Sequence, residues 1–249
     1  RAARSPRAWA IWWEAFRVEL DERLLERGRW LAGIADISAA DATIRARRSR
    51  VPVAHVPSFA LGTRQPAVGS QRTPSGRPTV VFLGALDVAT NHDAVAWFAE
   101  HSWPLVRAAV PDCRWYVVGR RPTTEVRSLV SRTAGAELHA DVAEPAAFLA
   151  AADVSINPAV SGSGVNIKLV EYLAAGAPVV STSRGSSGLG LRPGRDLLVA
   201  DTPAGFAAAV GDLLTGRRDG GQLGAAGQAS ARQILDTRAS LGRLLRMLE

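Results

Sequence analysis

A lysine and a glutamate three residues apart, Lys168 and Glu171, follow a glycine-rich turn in the segment AVSGSGVNIKLVE. Read as a helix, that spacing puts both side chains on roughly one face. Gly162 and Gly164 let the backbone approach a ligand closely, and the free amides at a helix start suit phosphate. Lys168, one turn in, adds positive charge, and a carboxylate at Glu171 can accept both hydroxyls of a ribose. Phosphate amides, cation and ribose acceptor together describe a nucleotide-diphosphate site. The plainer alternative is a surface ion pair between Lys168 and Glu171. The usage of basic residues favours the ligand site. Of 30 Lys and Arg residues, Lys168 is the one lysine. A compact point charge on a flexible stem is kept there, where a planar fork stands everywhere else.

Other chemistries are poorly supplied. After the first good strand stands LGALDVATN rather than GxGxxG, and no Walker A loop occurs. The histidines, His55, His92, His101 and His139, lack metal-ligand spacing, so no metal site is expected. Cys113 is the single cysteine, which leaves no intrachain disulfide and fits a reducing compartment. The net charge of +7 raises the question of nucleic acid. The arginines, however, are spread along the chain without a basic stripe interleaved with aromatics. No nucleic-acid partner is expected, although small anionic ligands would be drawn to such a surface.

These residues need a frame that places loops beside one another. From Thr79 onward apolar strands alternate with amphipathic helices. TVVFLG, CRWYVVG, AELHA, DVSINP, PVVSTS and LLVA read as strands. Helices are expected over Asp93 to Ala109, Glu125 to Thr133, a turn around Phe148, Val165 to Ala174, and Ala204 to Leu214. Several strands are nearly all apolar, as parallel strands buried on both faces must be. The alternation predicts a doubly wound α/β domain, whose ligands bind beyond the carboxyl ends of the strands.

The N-terminal part is different. Trp9, Trp12, Trp13, Phe16, Leu20 and Leu24 follow helical spacing between Ala8 and Leu31, with Glu14, Glu19, Asp21 and Glu26 on the other face. LAGIADIS reads as a strand, Ser38 as the cap of a helix through about Arg48, and VPVAHVP as another strand. A Gly-, Pro- and Ser-rich stretch follows. The expected organisation is residues 1–58 as the end of one domain, 59–78 as a linker, and 79–249 as the ligand-binding domain with its terminal helices. No secretory signal or membrane-spanning run is read, so a soluble cytoplasmic protein is expected. The three tryptophans leave open a peripheral contact at the inner membrane surface. The chain opens at Arg1 and its one methionine is Met247, so the natural start is expected to be missing or processed.

Residues 79–215 resemble the C-terminal domain of retaining, family-four glycosyltransferases of the GT-B fold. The resemblance runs through FLGALDVATNHDAVAWFAEHSWPLVRAAVPDCRWYVVGRRP, then ADVSINP, then GSGVNIKLVEYLAAGAPVVSTSRGSSGL. It is strongest to a bacterial subgroup that builds exopolysaccharide and capsule. Residues 11–57 are similar to the last part of the family's acceptor-binding N-terminal domain, which implies an incomplete domain there.

The resemblance implies a metal-independent hexosyltransferase with no cofactor, whose donor is a nucleotide-diphosphate sugar and whose acceptor is a glycan or lipid-linked glycan. It places Glu171 at the ribose. It places Lys168 and the amides around Ser163, Gly164 and Val165 at the diphosphate, with Gly162 in the same loop. Gly84 and Ala85 face the phosphates, Arg120 sits at the rim, and the Val142 backbone meets the base. Three positions depart from the family pattern. Ser163 stands where many relatives have the first of two glutamates, Asp87 and Asn91 remain where an arginine and a lysine are common, and Ser187 replaces a glutamate. The chain alone is expected to bind the nucleotide-sugar without transferring the sugar at an enzyme-like rate, leaving only slow hydrolysis. The rival reading is a non-catalytic or partner-dependent nucleotide-sugar-binding module. The oligomeric state stays open.

Overall fold

The computed structural model describes residues 31–56, 76–162, 164–236, and residues 242 and 245. The expected tryptophan-bearing helix, nearly all of the linker, and Ser163 lie outside the described residues. The chain forms two compact units, one of residues 1–61 with 237–249 and one of residues 62–236.

Within the first unit, β1 (Ile34–Asp36) and β2 (Val53–His55) pair in parallel, with Ile34 opposite Val53 and Asp36 opposite His55. Helix α1 (Ala39–Ala46) crosses between them. Its cap is the one the sequence suggests, since Ser38 Oγ accepts the Asp41 amide at 3.2 Å. Arg45 then reaches back to Asp36 at 3.0 Å, which ties the end of the helix to the end of β1. Ala42 and Val56 are buried, while Ile37 and Ile44 are about half exposed.

The second unit holds a six-stranded, all-parallel sheet in the order β5-β4-β3-β6-β7-β8. The strands are β3 (Thr79–Leu83), β4 (Arg114–Gly119), β5 (Ala136–Ala140), β6 (Val154–Asn157), β7 (Val179–Ser181) and β8 (Leu198–Val199). Val80 of β3 faces Trp115 of β4 on one side and Val154 of β6 on the other. The central strands are buried because helices cover both of their faces; β3 is mostly apolar, while β6 also buries Ser155 and Asn157.

Between β3 and β4 the chain is helical from Ala89 to Ala109 in three pieces: α2 (Ala89–Trp97), a π turn (Phe98–Ser102) and α3 (Trp103–Ala109). The expected single helix from Asp93 therefore starts four residues earlier, because the Asn91 and His92 amides both close on the Val88 carbonyl. Its ladder shifts before Pro104, which has no amide to give. Next come α4 (Thr124–Arg132), α5 (Pro145–Ala151), α6 (Ile167–Ala174), a short α7 (Ser183–Ser186), α8 (Pro203–Leu214) and α9 (Gly220–Ile234).

One face of the sheet is sealed by aromatic packing. The Phe98 ring stands edge-on to Trp115 at 4.9 Å and to Phe206 of α8 at 5.8 Å. Trp103 packs against both Phe98 and Trp115, with its indole N–H satisfied by the Ala134 carbonyl at 2.8 Å. The sheet order reverses between β3 and β6, so the loops leaving those two strands diverge. A crevice must open there.

Candidate functional site

A cleft of about 930 Å³ occupies that crevice, within the size range of small-molecule sites. Its walls are the loops after β3, β4, β5 and β6, together with the start of α6. The described residues expected at the site all lie on these walls. Gly84 and Ala85 come from the loop after β3, Arg120 from the end of β4, and Val142 from the end of β5. Gly162, Gly164, Val165, Lys168 and Glu171 come from the β6–α6 connection.

Glycine is needed at particular points of this wall. A Cβ on Gly119 would stand 1.9 Å from the Gly84 carbonyl oxygen, so only glycine lets the β3 and β4 loops meet. Backbone bonds then lock them, from Gly84 N to Val118 O at 3.0 Å and from Leu86 N to Arg120 O at 2.9 Å. Gly162 and Gly164 have φ of +89° and +97°, a region that side chains disfavour. These turns keep the chain non-helical and delay α6. The helix starts at Ile167, not Val165, so Lys168 sits at its second position rather than a full turn in.

Asn157 anchors the far end of the loop. Its fully buried amide donates to the Gly185 carbonyl at 3.0 Å and accepts from the Asn166 side chain at 3.1 Å. Helix α6 is in turn fixed to the end of β3 through Tyr172. The phenol accepts the Leu83 amide at 2.7 Å and donates to the Leu83 carbonyl at 2.5 Å. Burial pushes that phenol above its ordinary range.

With the helix so held, Lys168 Nζ donates to Asn91 Oδ1 at 2.5 Å and lies 4.6 Å above the centre of the Phe82 ring. Loss of hydration pushes its amine down to about 8, which leaves it charged at neutral pH. Its partner is Asn91 and not Glu171, so the surface ion pair is not what this fold builds. Glu171 stands solvent-accessible at the cleft mouth, and partial loss of hydration there raises its carboxyl above the usual value.

Several cleft residues carry little signal in the sequence. Asn91 stands out there only as what remains where relatives carry basic residues, and the clue is a polar amide shortly after the strand in GALDVATN. Arg184, on the unanticipated helix α7, donates to the Gly162 carbonyl at 2.8 Å and braces the glycine loop. Asp141 adopts φ of +51° and accepts the Arg121 amide at 2.8 Å, a conformation that no sequence pattern announces. Asp87 is engaged by Arg121 at 2.9 Å, and the Ser187 hydroxyl donates to the Arg184 carbonyl at 3.0 Å. His139 stacks among Tyr116 and Phe148, and His101 lies beside Trp97. Among the described residues no group of His, Cys, Asp or Glu could hold a metal ion, and no helix is long and apolar enough to cross a membrane.

Known proteins carry the same architecture. Residues 77–216 match the family described as Glycosyl transferases group 1. An uncharacterized 44.6 kDa protein in the cps region of Klebsiella pneumoniae is 27% identical over 135 residues, which are 51% of this chain and 35% of that protein. A variant of Staphylococcus aureus TarM, solved with fondaparinux, alpha-GlcNAc-glycerol and UDP, has a TM-score of 0.71 at 12% identity. The match spans 93% of this chain and 46% of that one. HepE of Anabaena, solved with UDP and glucose, has a TM-score of 0.63 at 13% identity, over 88% of this chain and 63% of its own. The chain thus spans less than two thirds of the length of each of these relatives. The fold is the α/β architecture of GT-B glycosyltransferases. With the family's pattern covering 77–216, more than half of its residues, the chain belongs to the group 1 glycosyltransferases.

Proposed function

We propose that this chain supplies the donor-binding part of a retaining, metal-independent hexosyltransferase that moves a sugar from a nucleotide diphosphate to a glycan or lipid-linked acceptor. The observation that carries this reading is the cleft at the β3/β6 reversal, where a glycine loop, the Lys168 ammonium and the accessible Glu171 carboxylate converge. Amides of the β6–α6 loop and Lys168 stabilise the leaving diphosphate as its charge grows. Glu171 accepts the ribose hydroxyls. The bond from the sugar's anomeric carbon to the phosphate oxygen breaks while the acceptor oxygen bonds to that carbon on the same face. The acceptor's proton passes to the departing phosphate.

UDP in the TarM and HepE structures makes a UDP-sugar the first donor to try. The relative from a cps region supports a role in polysaccharide synthesis, which would place the reaction at the cytoplasmic side of the membrane. The test is a thermal-shift and calorimetric panel of UDP-, GDP- and ADP-sugars against the chain. One of them should bind, and Glu171→Ala should weaken it. Binding of none of the three removes this reading. Ser163 in place of a glutamate favours the second reading, a partner-dependent binding module, which would bind donor equally well but show no turnover with any acceptor.

A further inference from the structure

Asn91 lies in the first turn of α2, and its side chain is used at both ends. Nδ2 donates to the Ala85 carbonyl at 2.9 Å, and Oδ1 accepts from Lys168 Nζ at 2.5 Å. A Cβ on Gly84 would come within 3.1 Å of the same Nδ2, so the loop after β3 closes directly over the amide. Held between a backbone carbonyl and an ammonium, the amide can satisfy both only in one orientation. Lys168 also rests on the Phe82 ring, and the two contacts together hold a long, flexible side chain at one point of the cleft wall.

We propose that Asn91 is a positioning residue for the donor's diphosphate, holding the Lys168 ammonium at the cleft wall with a neutral partner so that its full charge remains available to the phosphates. This rests on the donor-binding reading above. An aspartate in the same place would hold the lysine as firmly but would form an ion pair and cancel the field that the anion should meet. An aliphatic residue would leave the charge free but unplaced. Neutrality and fixity are thus separate contributions of one side chain, and substitutions can separate them.

The charged and titratable groups on the elements that wall the cleft come from several segments. Glu171 and Tyr172 lie on the same helix as Lys168, His92 and Asp93 on α2 beside Asn91, Arg120 and Asp141 at the ends of β4 and β5, and Arg184 on α7. Burial holds the wild-type amine near 8, and the variants change only the side chain that touches it from position 91.

Because Lys168 is the one lysine in the chain, isotope-labelled lysine gives a single side-chain NMR signal whose titration can be followed without any ligand. Asn91→Asp should move its midpoint up and Asn91→Leu should move it down, each by roughly half a pH unit or more. The same proteins are then titrated with UDP, GDP and ADP and with the corresponding nucleosides. The nucleotide that binds the wild-type chain should lose roughly tenfold affinity in both variants, and the nucleoside should lose little. Opposite shifts of the lysine with losses of the same sign are not expected of a merely structural residue. Asn91→Asp keeps the side chain's size, so the test survives if Asn91→Leu does not fold. An unmoved lysine midpoint, or undiminished diphosphate affinity in the variants while wild type binds, overturns this proposal and leaves the donor site standing. Failure of wild type to bind any of the three nucleotides overturns both.

Discussion

Burying the Lys168 ammonium removes hydration that one hydrogen bond to Asn91 and one aromatic face replace only in part. The site is therefore held at some cost in stability. Lys168→Met should raise the melting temperature, by on the order of 2–4 °C for each kcal/mol recovered in a unit of this size. It should also abolish nucleotide-diphosphate binding, and differential scanning calorimetry with isothermal titration reads both effects. The cost depends on pH. The lysine falls from 10.5 unfolded to about 8 folded, so between those values the unfolded chain binds more protons and stability rises with pH. The buried Cys113 thiol, raised from 9.0 to about 11, works in the opposite direction from pH 9 upward, and the raised Tyr172 phenol joins it above pH 10. Urea unfolding should thus show wild type gaining stability between about pH 8 and 9, and Lys168→Met lacking that gain. The proposed ribose contact of Glu171 is tested separately. Glu171→Gln should weaken nucleotide binding by about 1.5–3 kcal/mol while leaving binding of inorganic pyrophosphate nearly unchanged.

Two glycines separate what the strands need from what the loop needs. Gly119 ends β4 against the Gly84 carbonyl, where an added methyl meets backbone that cannot step aside. Gly119→Ala should destabilise the second unit by about 1–3 kcal/mol, read as a lower urea midpoint. At Gly164 an added Cβ would meet nothing within 4 Å, so the only obstacle to a side chain there is its φ of +97°. Gly164→Ala should cost binding more than folding, because relief of that backbone strain reshapes the loop that lines the cleft. Calorimetric affinity set beside the unfolding midpoint distinguishes the two outcomes. If Gly164→Ala lowered the midpoint as much as Gly119→Ala, the loop would be part of the structural frame.

For the molecule as a whole, the diphosphate of the proposed donor needs protein charge to neutralise it. The cleft offers the cationic side chains of Lys168, Arg120 and Arg184 beside the backbone of its loops. Nucleotide-diphosphate affinity should accordingly be the same in excess EDTA as in millimolar magnesium or manganese. A tenfold gain on adding either metal would mean that the phosphates are bridged by a cation the side chains do not replace. The net charge of +7 adds a long-range attraction for an anionic donor of the proposed kind, which salt should screen.

Local pattern was enough to read much of this protein. The alternation of strands and helices after Thr79 is written in apolar runs, and the cap at Ser38 is written in residue type. The parallel α/β class follows from these, because strands without polar faces must be covered on both sides. The lone lysine and the glycines beside it marked the loop that lines the cleft. Other features needed the folded chain. The strand order and the reversal between β3 and β6 depend on contacts between segments far apart in sequence. So does the partner of Lys168. Spacing along α6 offered Glu171, but the side chain meets Asn91, 77 residues away, because Tyr172 turns the helix toward β3 and the glycine loop delays its start. A helix's own periodicity says which side chains share a face. Only packing decides what that face meets.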